Sequence, residues 1–419
     1  MVKGDRRIIK SMGIYTFSNV INAAIPFLLL PLLTKYLSTS DYGVLSNFNA
    51  LTNIMIPLVG INLMSSVQVQ YLKEEVNFQD YVTSGFRFNV VLALVFSIIV
   101  GLFASQLSSL TGVPESLLYT LSVYAIFNTV IEVLLAIWRM EDKATLYGVF
   151  RISRTVVEIG LVIFYVIGCE MNFEGSIYAM LISYGVATIG AIIILSRKGL
   201  LFGVFRFDYL KHALSYGVPL IPHTLSATAI MYADKLILTH YHGLSSNGVY
   251  SVGFLVGQVI GLLQNSFNQA WVPWVFQKLK AGKESDKLRM VKITYFYFAG
   301  ILFTVFVLWL MLPFIYAFLG KAFQGGMELV LWIALGFAFN GMYKMVGVYM
   351  FYLERTGIIA LTSIGVAALN IILSLILIPQ HGEYGAAYSS MISMISLFFV
   401  TWFISSRMLK MPWNLKKYG

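Results

Sequence analysis

Charge is scarce in this chain: Asp, Glu, Lys and Arg make up 11% of its 419 residues, against about 25% in ordinary soluble domains. Cysteine occurs once, at Cys169, which excludes an intramolecular disulfide and any multi-cysteine metal site. No Walker sequence, GxSxG nucleophile elbow or HExxH zinc motif is present, so the common catalytic signatures lend enzyme chemistry no support. Acidic residues are the rarer sign, 19 against 29 Lys and Arg, for a net charge of +10. That surplus does not form a basic groove for nucleic acid. The cations fall between apolar runs, where they set topology and meet anionic headgroups.

Apolar residues fill the remainder, 58% of the chain, in runs that recur along almost its whole length. A membrane helix needs roughly 20 mostly apolar residues. Twelve such spans are predicted, over residues 13–35, 44–70, 81–105, 115–138, 148–168, 174–196, 212–240, 245–272, 290–312, 326–351, 357–378 and 383–406. The fold class expected is therefore an all-α polytopic membrane protein. The N-terminal stretch MVKGDRRIIK leads into a first span without a small-residue cleavage site, so that span is expected to remain.

With both termini on one side, 25 of the 29 Lys and Arg residues lie on that side or in the span ends next to it. Lys35 and Lys321 lie opposite, and Lys235 and Lys344 fall inside spans. The positive-inside rule then predicts cytoplasmic termini.

The chain also repeats itself. Thr34, Tyr36, Ser40, Gly43 and Val44 recur 205 positions later as Thr239, Tyr241, Ser245, Gly248 and Val249. Phe127-Asn128 recurs as Phe339-Asn340, and Asp142-Lys143 as Glu354-Arg355, both at a spacing of 212. Gly175, Tyr178, Ile182 and Ser183 recur as Gly385, Tyr388, Ile392 and Ser393, at 210. Order and spacing hold together, which predicts two lobes of six spans, residues 1–200 and 201–419. An even number of spans per repeat gives both lobes the same orientation in the membrane.

Residues 211–249 open the second lobe, and they carry the family resemblance. Ser215-Tyr216-Gly217-Val218-Pro219-Leu220-Ile221-Pro222, Ala233-Asp234-Lys235-Leu236-Ile237-Leu238 and Gly248-Val249-Tyr250-Ser251 resemble the bacterial polysaccharide-biosynthesis (O-antigen repeat-unit) flippases. These belong to the multidrug/oligosaccharidyl-lipid/polysaccharide (MOP) exporter superfamily. Residues 38–44 and Phe267-Asn268-Gln269-Ala270-Trp271-x-Pro273-Trp274 fit as well. The resemblance covers essentially the whole chain in span count, orientation and duplication. It implies two six-helix bundles around a central V-shaped cavity that opens alternately to each side of the bacterial cytoplasmic membrane. The implied cargo is an undecaprenyl-diphosphate-linked oligosaccharide, an O-antigen, capsule or exopolysaccharide precursor moved to the outer leaflet. It further implies coupling to a proton or sodium gradient, no bound cofactor, and a monomer among membrane lipids and glycan polymerase machinery.

Ionisable residues inside spans are the candidate site, because charge in hydrocarbon is costly unless paired or hydrated. Glu132 and Lys344 each lie four residues after the Asn of the repeated Phe-Asn, sharing its helix face, and occupy equivalent places in the two lobes. Lys344 is the candidate cation for the diphosphate, and Glu132 its pair or a coupling-ion site; either residue otherwise snorkels to the inner interface. Glu158 lies near mid-membrane, one turn after Arg154, as half of a structural pair with it or as the protonation site. Arg151 and Arg154 near the cytoplasmic mouth face either the diphosphate or lipid headgroups. Asp234 and Lys235, near the outer end of the seventh span, are cavity or interface residues. His223 is a titratable candidate or a packing residue. Pro219 and Pro222, with Pro26 and Pro31 in the first span, are hinges for alternating access or ordinary kinks.

Two rivals remain from sequence alone. A cation-coupled drug exporter of the same superfamily would favour acidic cavity residues over Lys344 and Lys235. A membrane-embedded glycan polymerase or ligase would carry a large outer loop, and the outer loops here are short.

Overall fold

The computed structural model describes residues 3–73 and 76–414. Lys416 and Lys417 lie outside them, as do the side chains of Lys3, Arg6, Arg7 and Lys10. Fifteen α-helices carry the described chain, and no β-strand occurs in it. They are α1 (Lys3–Tyr36), α2 (Thr39–Gly60), α3 (Leu63–Lys73), α4 (Phe78–Leu102), α5 (Ala104–Thr111), α6 (Glu115–Leu118), α7 (Thr120–Met140), α8 (Ala144–Val162), α9 (Phe173–Arg197), α10 (Phe207–Gly217), α11 (Ile221–Gly257), α12 (Val259–Ala281), α13 (Glu284–Ala317), α14 (Val330–Tyr352) and α15 (Thr356–Met408). In hydrocarbon every backbone donor and acceptor must be satisfied within the protein, which leaves helices as the way for such apolar runs to cross.

The twelve predicted spans are recovered once the breaks are taken into account. Eight described segments are long and apolar enough to cross by themselves, and α2 with α3 forms a ninth, bent by 40°. Two of the eight fold back on themselves, at Gly243 (φ 84°) in α11 and at Gly382 (φ 54°) in α15. Each therefore holds two spans, and glycine supplies the left-handed backbone that the reversal needs. The twelfth is α8 with its π-turn Ile163–Gly168; Arg151, Arg154 and Glu158 make it too charged to register as apolar.

Two compact units divide at Thr228/Ala229, within α11. The predicted lobe boundary lay at 200/201. The connector is held by the first unit, and that sets the difference. The Leu200 carbonyl accepts from Thr83, Val204 N–H donates to Asp80, and Arg206 N–H donates to Ser84. His212 of α10 then sits against Gln70 of α3 and the Tyr81 hydroxyl of α4, at 3.1 Å from each.

Within each unit the repeat is visible in the backbone. Asp142 and Glu354 both adopt positive φ, 53° and 57°. Each is followed by the same tight turn, with Lys143 N–H bonded to the Trp138 carbonyl and Arg355 N–H to the Met350 carbonyl. Thr34 and Thr239 each bond the carbonyl four residues back.

The first unit packs around Leu63, Val67, Tyr81, Leu134, Trp138 and Tyr147. The second has Trp271, Val275, Met290, Met345 and Tyr349 at one end. Lipid tails are as apolar as leucine, so close packing of small residues does much of the holding. Gly253, Gly257 and Gly261, one turn apart, let α11 and α12 lie directly on Gly326, Ile333 and Phe337. Just beyond the end of α7, burial works against the Glu141 carboxylate, but Lys143 and Lys198 outweigh it and hold its pKa below the usual range.

Candidate functional site

In the first unit the second span breaks inside the membrane. α2 stops at Gly60, and Ile61 and Asn62 both take left-handed backbone conformations, φ 41° and 50°, before α3 begins at Leu63. Such a conformation is unusual for any residue with a Cβ and an outlier for a β-branched one. Tertiary contacts hold it: Ile61 N–H still bonds the Pro57 carbonyl, Asn62 donates its amide to the Gly217 carbonyl (3.3 Å), and Asn89 donates to the Gly60 carbonyl. Irregular backbone at membrane depth is tolerated where it lines a cavity.

A cavity of about 300 Å³ lies at this break. Asn53, Asn62, Asn128, Thr129, Glu132 and Thr224 supply much of its polar wall. Glu132 is half-buried, and among the described residues of its unit nothing hydrogen-bonds or ion-pairs with its carboxylate. The same residue borders a second, narrower cavity with Asn22, Arg151, Arg154 and Tyr184. Glu132, Arg151 and Arg154 are thus brought together.

Arg154 is neutralised in place. It pairs with Glu158 at 2.6 Å, donates to Asn22 at 2.7 Å, and stacks over the Tyr184 ring at 4.3 Å. Arg151 takes no carboxylate among the described residues of its unit: it donates to Asn19 at 2.8 Å and to the Tyr147 hydroxyl. Asn19 and Asn22 come from α1, so the pairing of α1 with α8 assembles this network. Sequence alone did not single out those asparagines, although an amide in an apolar span is itself a signal.

The second unit treats its charges differently. Asp234 and Lys235 are both buried in its interior, 0% and 7% exposed. The Asp234 carboxylate accepts from the Tyr250 hydroxyl, from Ser390 at 2.9 Å and from the Lys235 backbone N–H at 2.8 Å. The Lys235 ammonium lies over Phe254 at 4.5 Å and Tyr232 at 5.2 Å. Lys344 lies on the seam of α14 with α12, where its ammonium donates to the Asn265 side chain. Among the described residues of its unit no carboxylate faces it. Gln264 bonds Asn340 beside it, and the Gln264 amide oxygen is buried without a donor.

The remaining candidates stand apart. His223 is exposed and makes no hydrogen bond among the described residues of its unit. Pro219 lies in a 3-10 turn, Val218–Leu220, and Pro222 in the first turn of α11, so the seventh span is two helices joined there. Pro26 and Pro31 lie inside a continuous α1.

Known proteins share this architecture. The family model described as polysaccharide biosynthesis protein matches residues 8–279. Protein 1 of the Lsg locus of Haemophilus influenzae is 22% identical over 416 residues, 96% of this chain and 99% of that protein. The lipid II flippase MurJ in an inward closed conformation superposes with TM-score 0.73 at 16% identity, over 94% of this chain and 87% of that one. An inward-facing MATE multidrug resistance transporter of the MOP superfamily gives 0.71 at 15%, over 94% of both chains. These likenesses show the fold that the chain shares with both transporters.

Proposed function

The chain belongs to the polysaccharide biosynthesis protein family, and on that premise we propose that it is a flippase for a lipid carrying a diphosphate-linked oligosaccharide. The observation that carries this reading is Lys344. An ammonium inside a span is costly unless something answers its charge, and within its own unit it has one amide oxygen. A lysine so placed is a receptor for an anion that comes and goes. Glu132, at the equivalent place of the other lobe, faces a polar cavity without a partner among the described residues of its unit, which suits a coupling proton or sodium ion. The lipid II flippase and the drug transporters share the fold, but the family points to a glycan precursor as cargo. O-antigen, capsule and exopolysaccharide units all have the required diphosphate. The proposed setting is a bacterial cytoplasmic membrane with both termini inside and glycan polymerase machinery nearby.

Deletion of the gene tests the activity: lipid-linked repeat units should accumulate on the cytoplasmic leaflet. Single exported repeats without chain extension would instead indicate a polymerase. Replacing Lys344 with Ala should cut surface glycan export about tenfold or more, as expected for losing a charged hydrogen bond to substrate, and unchanged export would remove Lys344 from the site. Cys169 is exposed and is predicted to lie outside. An impermeant thiol reagent should label it on intact spheroplasts; labelling only after lysis would reverse the orientation.

A further inference from the structure

The duplication separates what the fold needs from what it does not. At the spacing of 212 that aligns Asp142-Lys143 with Glu354-Arg355, Arg139 corresponds to Phe351, Tyr147 to Ile359, Arg151 to Ser363 and Arg154 to Val366. The second lobe builds the same helices and the same tight turn without any of these polar groups. They are additions to the first lobe, not requirements of the architecture.

The cations of this region divide sharply by partner. Lys143 and Lys198 share Glu141, and Arg154 has Glu158. Arg139 and Arg151 have no carboxylate among the described residues of their unit. Arg139 is the less satisfied of the two. One terminal nitrogen reaches only the Met64 sulfur at 3.6 Å, and its Nε is buried without a partner. Both guanidinium groups lie 5.7 Å from the centre of the Tyr147 ring, which is itself 2% exposed. Met64 lines the polar cavity and Arg151 the narrower one. Arg139 is two turns beyond Glu132 on α7, about 10 Å nearer the predicted cytoplasmic end.

We infer that Arg139 and Arg151, braced by Tyr147, form a phosphate-binding subsite at the cytoplasmic end of the first lobe, which receives the diphosphate of the lipid as it enters from the cytoplasmic leaflet. This rests on the flippase reading and adds a residue to it that the positive-inside pattern hides. Guanidinium groups are suited to phosphate because they stay charged and their forked donors match its oxygens in pairs. Arg154, already bound to Glu158, Asn22 and the Tyr184 ring, serves as the fixed wall of the subsite and not as a ligand.

Farnesyl diphosphate, inorganic diphosphate and phosphatidylglycerol, each titrated into purified protein in detergent micelles, test the assignment. Farnesyl diphosphate should bind wild type, and R139Q and R151Q should each weaken it about tenfold, with the double variant losing less than the product of the two. Inorganic diphosphate should show the same losses from a weaker starting affinity. R139K should retain part of the binding; it also serves if R139Q does not fold, since it keeps the charge and loses the fork. Wild-type affinity for farnesyl diphosphate in R139Q, R151Q and R139K would overturn the subsite, as would its absence in wild type. Phosphatidylglycerol binding as tightly as farnesyl diphosphate would overturn it too, showing a lipid-headgroup anchor. The flippase reading fails separately, if deletion of the gene leaves lipid-linked intermediates unchanged while these affinities hold.

Discussion

Replacing Asp234 with Ala should destabilise the protein by about 3–5 kcal/mol, the range seen when one of two buried opposite charges is removed. The carboxylate is fully enclosed in the second unit and answers three donors, from Tyr250, Ser390 and the Lys235 backbone. Its removal strands the Tyr250 hydroxyl and leaves the Lys235 ammonium with only the faces of Phe254 and Tyr232. Ring faces offset roughly 2 kcal/mol of a desolvated cation's cost at best, and the Asp234 carboxylate, bonded to the Lys235 backbone N–H and not to its ammonium, supplies the neighbouring opposite charge. The sign should reverse with both partners gone. Asp234→Leu with Lys235→Met removes both charges and keeps apolar volume, and such exchanges are often neutral or stabilising. Thermal unfolding of purified protein, read by fluorescence-detected size exclusion, separates the cases: the single variant should melt well below wild type and the double near it. If the double falls as far as the single, the pair is not what holds this seam. Glycan export by a well-folded double variant would then decide whether the two charges do anything beyond packing.

How much of this was legible in the sequence depends on what each residue needed before its role existed. The spans, the repeat and the intramembrane charges are properties of single helices, and hydropathy, spacing and composition report them directly. Glycines at the folds, Gly243 and Gly382, are likewise local signals. The break at Ile61 and Asn62 was not legible, because neither residue prefers a left-handed backbone enough to announce it. It exists because Asn62, Asn89 and Gly217 meet there. Asp234 and Lys235 stand beside each other in sequence, about 100° apart on an ideal helix, a spacing compatible with cavity or interface. Only the return of Ser390 from α15 and Tyr250 from the far limb of α11 turns both into interior groups. Arg139 was hidden for the opposite reason. A cation at the predicted inner end of a span is what topology alone requires, so its lack of a carboxylate among the described residues of its unit shows only when α3 and α8 are packed beside it.

Replacing Gly217 with Ala should impair folding, against what local propensity says. Gly217 is helical, φ −80° and ψ −41°, and alanine in a helix gains roughly 0.5–1 kcal/mol over glycine. A Cβ there, however, would lie 2.0 Å from the Ile61 carbonyl oxygen. No rotamer relieves a clash between one backbone and another, and overpacking of this kind costs typically about 1–3 kcal/mol, at times more. Neither side is free to yield. His212, one turn and a half earlier in α10, is fixed by Gln70 and Tyr81. Ile61 is held by the Pro57 carbonyl, and Asn62 by Gly217 itself. The steric term therefore wins, and Gly217→Leu should abolish the folded protein. Functionally the contact joins the break that shapes the Glu132 cavity to the 3-10 turn carrying Pro219, which interrupts the α-helix of the seventh span. Any motion of that turn must move through Gly217. A milder variant, Asn62→Ala, deletes the amide bond without adding bulk and should cost about 1 kcal/mol while lowering export more than stability. Equal melting temperatures and equal export for wild type and Gly217→Ala would show that this joint is loose, and that the turn at Pro219 acts without it.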